Sequence, residues 1–264
     1  MKKDRRQFLK VASLSFLGVA GSAALGPVCQ AAAPGEGSFT TAKNALHAKK
    51  WGMVIDTRKF AENPELYNAV TTACHSYHNV PTIVENGMPS KREVKWIWTD
   101  GYHQTFTDQV DNYPSHEIEQ RRYLMLCNHC ENPACVRVCP TKATFRRKDG
   151  IVVMDYHRCI GCRYCMAGCP FGARSFNFMD PRDHIAQVNP TFPTRMRGVV
   201  EKCTFCSELL AVGKMPLCVE ASDGAIAFGD LTDPESSVRK LLAENFTLRR
   251  KPTLGTEPSV YYIL

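Results

Sequence analysis

The sequence predicts an α+β fold in which short strands and short helices surround sulfur ligands, and three observations carry that expectation. Eight cysteines between residues 127 and 169 form two runs, Cys127-x2-Cys130-x4-Cys135-x3-Cys139-Pro140 and Cys159-x2-Cys162-x2-Cys165-x3-Cys169-Pro170. Between the runs, two strand-like segments flank a Lys148-Asp149-Gly150 turn, which is the pattern of a β-hairpin. Outside them, Cys74, Cys203, Cys206 and Cys218 sit among further strand-like and helix-like stretches. At 264 residues the chain can bury a sizeable core as one or two domains.

The second run has the bacterial ferredoxin spacing, in which three close thiolates hold one cubane and the fourth reaches across to a neighbouring cluster. Two such runs imply two [4Fe–4S] clusters. Cys127, Cys130 and Cys135 with Cys169 make one site, and Cys159, Cys162 and Cys165 with Cys139 make the other. A proline after each fourth cysteine ends a short helix there.

Taken in order, the chain opens with Asp4-Arg5-Arg6-Gln7-Phe8-Leu9-Lys10, then a mildly apolar stretch from Val11 to about Val28 diluted by Gly18, Gly21, Ser22 and Gly26. Residues 1–33 are therefore expected to be a twin-arginine export signal; an uncleaved membrane anchor is the alternative, for which the stretch is short and glycine-rich. Cys29 follows Gly26-Pro27-Val28, a poor lipidation context, and is assigned to this segment. Export by a route that carries folded proteins lets clusters form in the reducing cytoplasm first, so the expected location is the periplasm, with membrane attachment through partner subunits.

Residues 34–50 read as a linker and Trp51 to Thr57 as the first strand. Glu62 to His78 reads as a helix, with Leu66, Ala69, Val70, Ala73 and Cys74 on one stripe. Residues 81–120 read as an insertion in which a strand from Glu93 to Trp98 puts Trp96 and Trp98 on one face, over the core or toward a partner. Strands at Tyr123 to Leu126 and Ala173 to Phe178 flank the cysteine runs and their hairpin, Ala143 to Arg147 and Ile151 to Met154. Gly198 to Lys202 precedes Cys203-x2-Cys206, a helix follows to Val212, and Ala225 to Phe228 is a strand. Pro234 to Glu244 is a helix. The remainder to Leu264 is an extended arm that packs on a partner or folds back.

Beyond Cys29 there are twelve cysteines, and three cubanes use all twelve. Cys74 completes a third set with Cys203, Cys206 and Cys218. At this point the chain resembles the four-cluster iron–sulfur subunits of the dimethyl sulfoxide reductase group over about residues 51–230. That resemblance implies tandem two-cluster ferredoxin-like modules: an intact half at 121–197, and a degenerate half at 51–80 and 198–230 holding one cluster, with 231–264 as C-terminal helix and arm. In the family pattern Cys74 matches the last ligand of the first cysteine group, whose opening ligands are missing after Ile55-Asp-Thr-Arg-Lys59. Phe60 stands there, and Ser222 stands where the last cysteine of the fourth group belongs. All the losses fall on one family cluster, so three [4Fe–4S] clusters are expected, with Phe60 and apolar neighbours filling the vacated half-site. The resemblance further implies an NrfD-like quinone-interacting membrane subunit and a multihaem cytochrome c as partners, within a complex linked to sulfur metabolism.

The net charge of +7 has its excess in the first 33 residues, which leaves too little elsewhere for nucleic-acid binding. No C-x2-C-H haem motif and no glycine-rich phosphate loop occurs, and the chain is read as an electron-transfer subunit rather than an enzyme. Its histidines, His129 and His157 among them, are read as supporting or surface residues, and Arg121, Arg158, Arg163 and Lys202 as cations near ligands. The competing readings are an iron–sulfur subunit of a polysulfide, tetrathionate or quinone reductase, a zinc-stapled structural protein, and a disulfide framework.

Overall fold

The computed structural model describes residues 42–108, 111 and 113–264. The expected export signal, Cys29 and residues 34–41 of the linker lie outside the described residues. From residue 44 onward the linker is tied down, since the Leu46 N–H donates to the Leu210 carbonyl at 2.9 Å and the Asn44 amide to the Val212 carbonyl at 2.7 Å.

Strand β1 (Trp51–Asp56) is buried along nearly its whole length, as its apolar run requires. Two helices follow, Thr57–Glu62, capped by the Asp56 carboxylate on the Arg58 N–H, and Glu65–Tyr77. Thr57–Glu62 is a separate helix outside the sequence expectation, and the helix expected from Glu62 begins only at Glu65, because Pro64 disfavours helical backbone at the residue before it. Of its predicted inward stripe Val70 and Cys74 are buried, whereas Ala69 is exposed.

A small hairpin, β2 (Val84–Glu85) with β3 (Met88–Pro89), precedes β4 (Ile97–Asp100). The strand expected from Glu93 begins only at Ile97, so Trp96 enters the core from the preceding loop. Its ring lies 4.7 Å from His78 and its Nε1 donates to Glu201 at 3.0 Å. Nor is 81–120 peripheral: β4 pairs antiparallel with β5 (Tyr123–Leu126), and Tyr102 and Phe106 stack in the same core as Tyr123 and Tyr262.

The predicted hairpin is present as β6 (Thr144–Arg146) and β7 (Val152–Met154), with Gly150 at φ 87° in its turn. β8 (Ser175–Phe176) pairs with β9 (Val200–Glu201), which brings the end of the second cysteine run against the entry to Cys203. β10 (Ile226–Asp230) leads to the helix Ser237–Glu244, capped by the Ser236 hydroxyl. β11 (Thr247–Leu248) and β12 (Val260–Ile263) complete a four-stranded sheet in the order β10-β1-β12-β11.

That sheet selects the second of the two expectations for the C-terminal arm. The tail folds back and lies parallel to β1, pairing Met53 with Val260 through Asp56 with Ile263. Val260, Tyr262 and Ile263 are buried, and the Tyr262 hydroxyl donates to the Leu124 carbonyl. Its alternation of apolar side chains supplies a strand for the unpaired edge of β1, where an exposed edge would invite pairing with other chains.

Candidate metal centres

Three cysteine pairs of the form Cys-x2-Cys adopt one backbone turn. The residue before the second cysteine has a left-handed conformation in each: His129 at φ 41°, Gly161 at 70° and Phe205 at 53°. Such a turn aims successive N–H groups at the first sulfur; the Phe205 N–H lies 3.4 Å from Cys203 Sγ. At Gly161 a side chain would collide with the Gly198 carbonyl, so glycine is needed for close approach as well as for φ.

The third cysteine of each set is likewise placed alike. Cys135, Cys165 and Cys218 are each the second residue of a four-residue helix, Ala134–Arg137, Tyr164–Ala167 and Leu217–Glu220. Two residues beyond these helices stand Cys139, Cys169 and Ser222. Each donates its N–H to the carbonyl three residues back and accepts from the N–H three residues on. Ser222 thus occupies the position of a fourth cysteine in local structure as well as in spacing. Its hydroxyl is used internally, donating to the Val219 carbonyl at 2.8 Å and accepting from the Ile226 N–H at 3.0 Å.

The chain brings the predicted sets together. Cys127, Cys130, Cys135 and Cys169 line one pocket, with Phe171 and Thr256 closing it. Cys139, Cys159, Cys162 and Cys165 line a second, with Ile160 and Gly161. Cys74, on the helix packed against Leu217–Glu220, faces Cys203, Cys206 and Cys218. Cys203 in turn faces Cys127, and Cys135 faces Cys165, so the Cys127 set adjoins both of the others. Cys162 is exposed, whereas the four cysteines of the Cys74 set are all buried.

Electrostatics favours a metal group in these sets. Burial and neighbouring thiols push Cys130 up to about 12, burial pushes Cys218 up to about 12, and burial with mutual repulsion pushes Cys74, Cys203 and Cys206 up. Cys139 is the contrast: burial raises it, but donors at Thr144, Thr141 and Ala143 outweigh burial and hold it below the ordinary thiol range. Buried sulfurs crowded together resist ionisation, and iron held among them would supply the positive charge that ionises them. All twelve described cysteines are free, which overturns the disulfide reading for them.

Around the third set, His78 Nδ1 lies 2.8 Å from the Cys74 carbonyl and 3.7 Å from its sulfur, and Nε2 lies 2.9 Å from Glu208. His129 stacks on Phe205 at 3.7 Å and accepts the Val152 N–H at Nδ1. His157 is exposed. Of the cations expected near ligands, Lys202 is fully buried and donates to the Val152 and Cys203 carbonyls. Arg121 pairs with Glu117 and Arg158 with Asp155, while Arg163 lies over the rings of Phe176 and Phe178 on the wall of the Cys139 pocket. Sequence reasoning missed Arg174, a buried cation on the wall of the Cys127 pocket; its position five residues after Cys169 was the available clue.

Residues 122–182 match a 4Fe–4S dicluster domain. Over 270 residues the chain is 38% identical to an Hdr-like menaquinol oxidoreductase iron–sulfur subunit of Archaeoglobus fulgidus, covering 94% of this chain and 96% of that protein. It is 42% identical over 184 residues to a putative dimethyl sulfoxide reductase iron–sulfur subunit of Halobacterium salinarum, covering 68% and 70%. The chain belongs to this iron–sulfur subunit family. A further member, from the polysulfide reductase of Wolinella succinogenes, is 34% identical over 82% of this chain and 95% of its own length. The dicluster domain spans the two cysteine runs that the spacing assigned to clusters. Among the described residues no helix is long and apolar enough to cross a membrane.

Proposed function

We propose that the chain is the periplasmic electron-relay subunit of a membrane-bound respiratory complex linked to dissimilatory sulfur metabolism. It carries three [4Fe–4S] clusters, in tandem ferredoxin-like modules of which one has given up a cluster. The observation that carries this reading is the threefold recurrence of one ligand frame: the left-handed Cys-x2-Cys turn, the helix with cysteine second, and the turn two residues beyond. The third occurrence, at Cys203, Cys206 and Cys218, is built like the two within the dicluster domain, and Cys74 supplies its fourth sulfur, while Ser222 stands at a ligand position of the cluster given up.

When bound, the clusters supply reversible one-electron chemistry, so no substrate bond need change. The chain's residues hold the sulfurs, exclude water from the buried third set, and leave Cys162 at the surface. Phe60, buried and stacked on Tyr67 at 4.7 Å, fills the vacated half-site. Lys59 Nζ reaches the Gly224 carbonyl at 3.0 Å, which draws that segment against the Ser222 turn.

The truncated first cysteine group, Val200-Glu-Lys-Cys-Thr-Phe-Cys206 and the end Gly255-Thr-Glu-Pro-Ser-Val-Tyr-Tyr262 most resemble DsrO of the DsrMKJOP complex. On that reading the partners are an NrfD-like integral membrane subunit of the DsrP type and a multihaem cytochrome c of the DsrJ type, with export by the twin-arginine route. The names of relatives keep a second reading in view, a subunit of a polysulfide reductase or menaquinol oxidoreductase complex.

Purification of the complex from native membranes tests both. The expected result is about twelve iron atoms per chain, broad absorption near 400 nm, and copurification with a quinone-linked membrane protein and a c-type cytochrome. A molybdopterin subunit in place of the cytochrome favours the second reading. Stoichiometric zinc in a colourless protein refutes cluster binding and leaves a zinc-stapled structural role, to which His78, Cys206 and Glu208, whose ligand atoms lie within 4.8 Å of one another, would be suited.

A further inference from the structure

Arg174 lies between two ligand sets. It is 5% exposed, on the wall of the Cys127 pocket, and its Nη1 donates to Thr144 Oγ1 at 3.1 Å and lies 3.6 Å from the sulfur of Met154, a wall residue of the Cys139 pocket. The guanidinium faces the thiols of Cys135 and Cys127 in one set and of Cys165 in the other. Its Nη2 is buried without a hydrogen-bond acceptor in the chain itself. Among the described residues no carboxylate pairs with it, whereas the equally buried Arg195 is paired with Glu201 at 2.6 Å.

An uncompensated buried guanidinium is unfavourable unless negative charge arrives beside it, and arginine cannot discharge itself by losing a proton. Among the described residues, the groups placed to supply that charge are sulfurs of two different sets. The cation therefore favours the more negative, reduced form of a group bound in either.

We propose that Arg174 is a positioning residue shared by two cluster sites, holding Cys135 and Cys165 in register and setting the reduction potentials of both groups together. The proposal rests on cluster binding at these two sets, though not on the identity of the partners. Lys202 is buried likewise, with its ammonium on the carbonyls of Cys203 and of Val152, a wall residue of the Cys127 pocket, so its influence falls on the Cys203 and Cys127 sets. Two buried cations thus adjoin the Cys127 set, each shared with a different neighbouring set.

The test is a redox titration of the purified complex followed by electron paramagnetic resonance, with iron counted in parallel. Arg174→Met is expected to keep its iron and to shift two of three midpoint potentials to more negative values while the third stays at the wild-type value. Arg174→Lys, which keeps the charge, is expected to restore most of the shift. Lys202→Met is expected to move a different pair, with one potential common to both variants. Wild-type potentials in Arg174→Met overturn the proposal, as does an equal shift of all three. If Arg174→Met loses iron, Arg174→Lys decides: retained iron at wild-type potentials supports a role for the charge, and loss of iron in both reduces Arg174 to a packing residue. Wild-type protein without iron refutes the cluster reading itself, whatever the variants do.

Discussion

Phe60 stands where the family pattern opens its first cysteine group, and replacing it by alanine asks whether that half-site has been converted into core. The side chain is 1% exposed, stacks on Tyr67 at 4.7 Å, and belongs to the same buried cluster as Val70, Cys74 and Ile226. Truncating a buried phenylalanine costs about 3–5 kcal/mol, of which the stacked pair accounts for roughly 0.5–1.5 kcal/mol. For a folded unit of this size each kcal/mol lowers the melting temperature by about 2–4 °C, so Phe60→Ala is expected to melt roughly 6–20 °C lower than wild type. Differential scanning calorimetry of the purified complex gives the shift, and iron analysis of the same sample is expected to give an unchanged count. A shift below about 2 °C would mean that Phe60 supports no packing. An altered iron count would mean that the site still binds metal. Either result sinks the idea of a filled half-site.

Three further outcomes are expected. Cys74→Ser should remove the cluster signal belonging to Cys203, Cys206 and Cys218 and spare the other two; equal loss of all three, read by electron paramagnetic resonance, contradicts the pairing. Ser222→Cys should add no iron, because three further ligands are missing, and a gain of four iron atoms per chain would restore the lost site. For Asp230, burial raises the carboxyl pKa but donors at Thr232, Lys49 and Lys50 outweigh burial and hold it below the ordinary value of 3.8. Its stabilisation is therefore present above that value and lost as pH falls through the lower folded-state value. Asp230→Asn should cost roughly 1–3 kcal/mol at neutral pH and flatten the acid limb of the stability profile below about pH 4. An unchanged acid limb speaks against it.

Much of the site was legible because its ligands are local. Cysteine spacing within a run depends on turns and short helices of fewer than a dozen residues, and the frame around Cys127, Cys159 and Cys203 follows from it. Proline after Cys139 and Cys169 and glycine at 161 restrict the same backbone. The extent of single elements was less legible, since the helix expected from Glu62 began only after Pro64 and the strand expected from Glu93 began four residues late.

What the sequence determined by itself was the number of sulfurs, their grouping into runs, and the absence of cysteine at positions 60 and 222. These are covalent facts, and the chemistry of iron–sulfur ligation turns them into a count of sites. Only the tertiary structure decided what lies between the sites. The tail joins β1 as a central strand because hydrogen bonds across some 200 residues of sequence select it, and no local pattern encodes such a partner. Arg174 adjoins two sets, and Lys202 a different two, because burial and charge depend on everything packed around a side chain. Spacing specifies which atoms can hold a cluster, and packing specifies the field in which it is held.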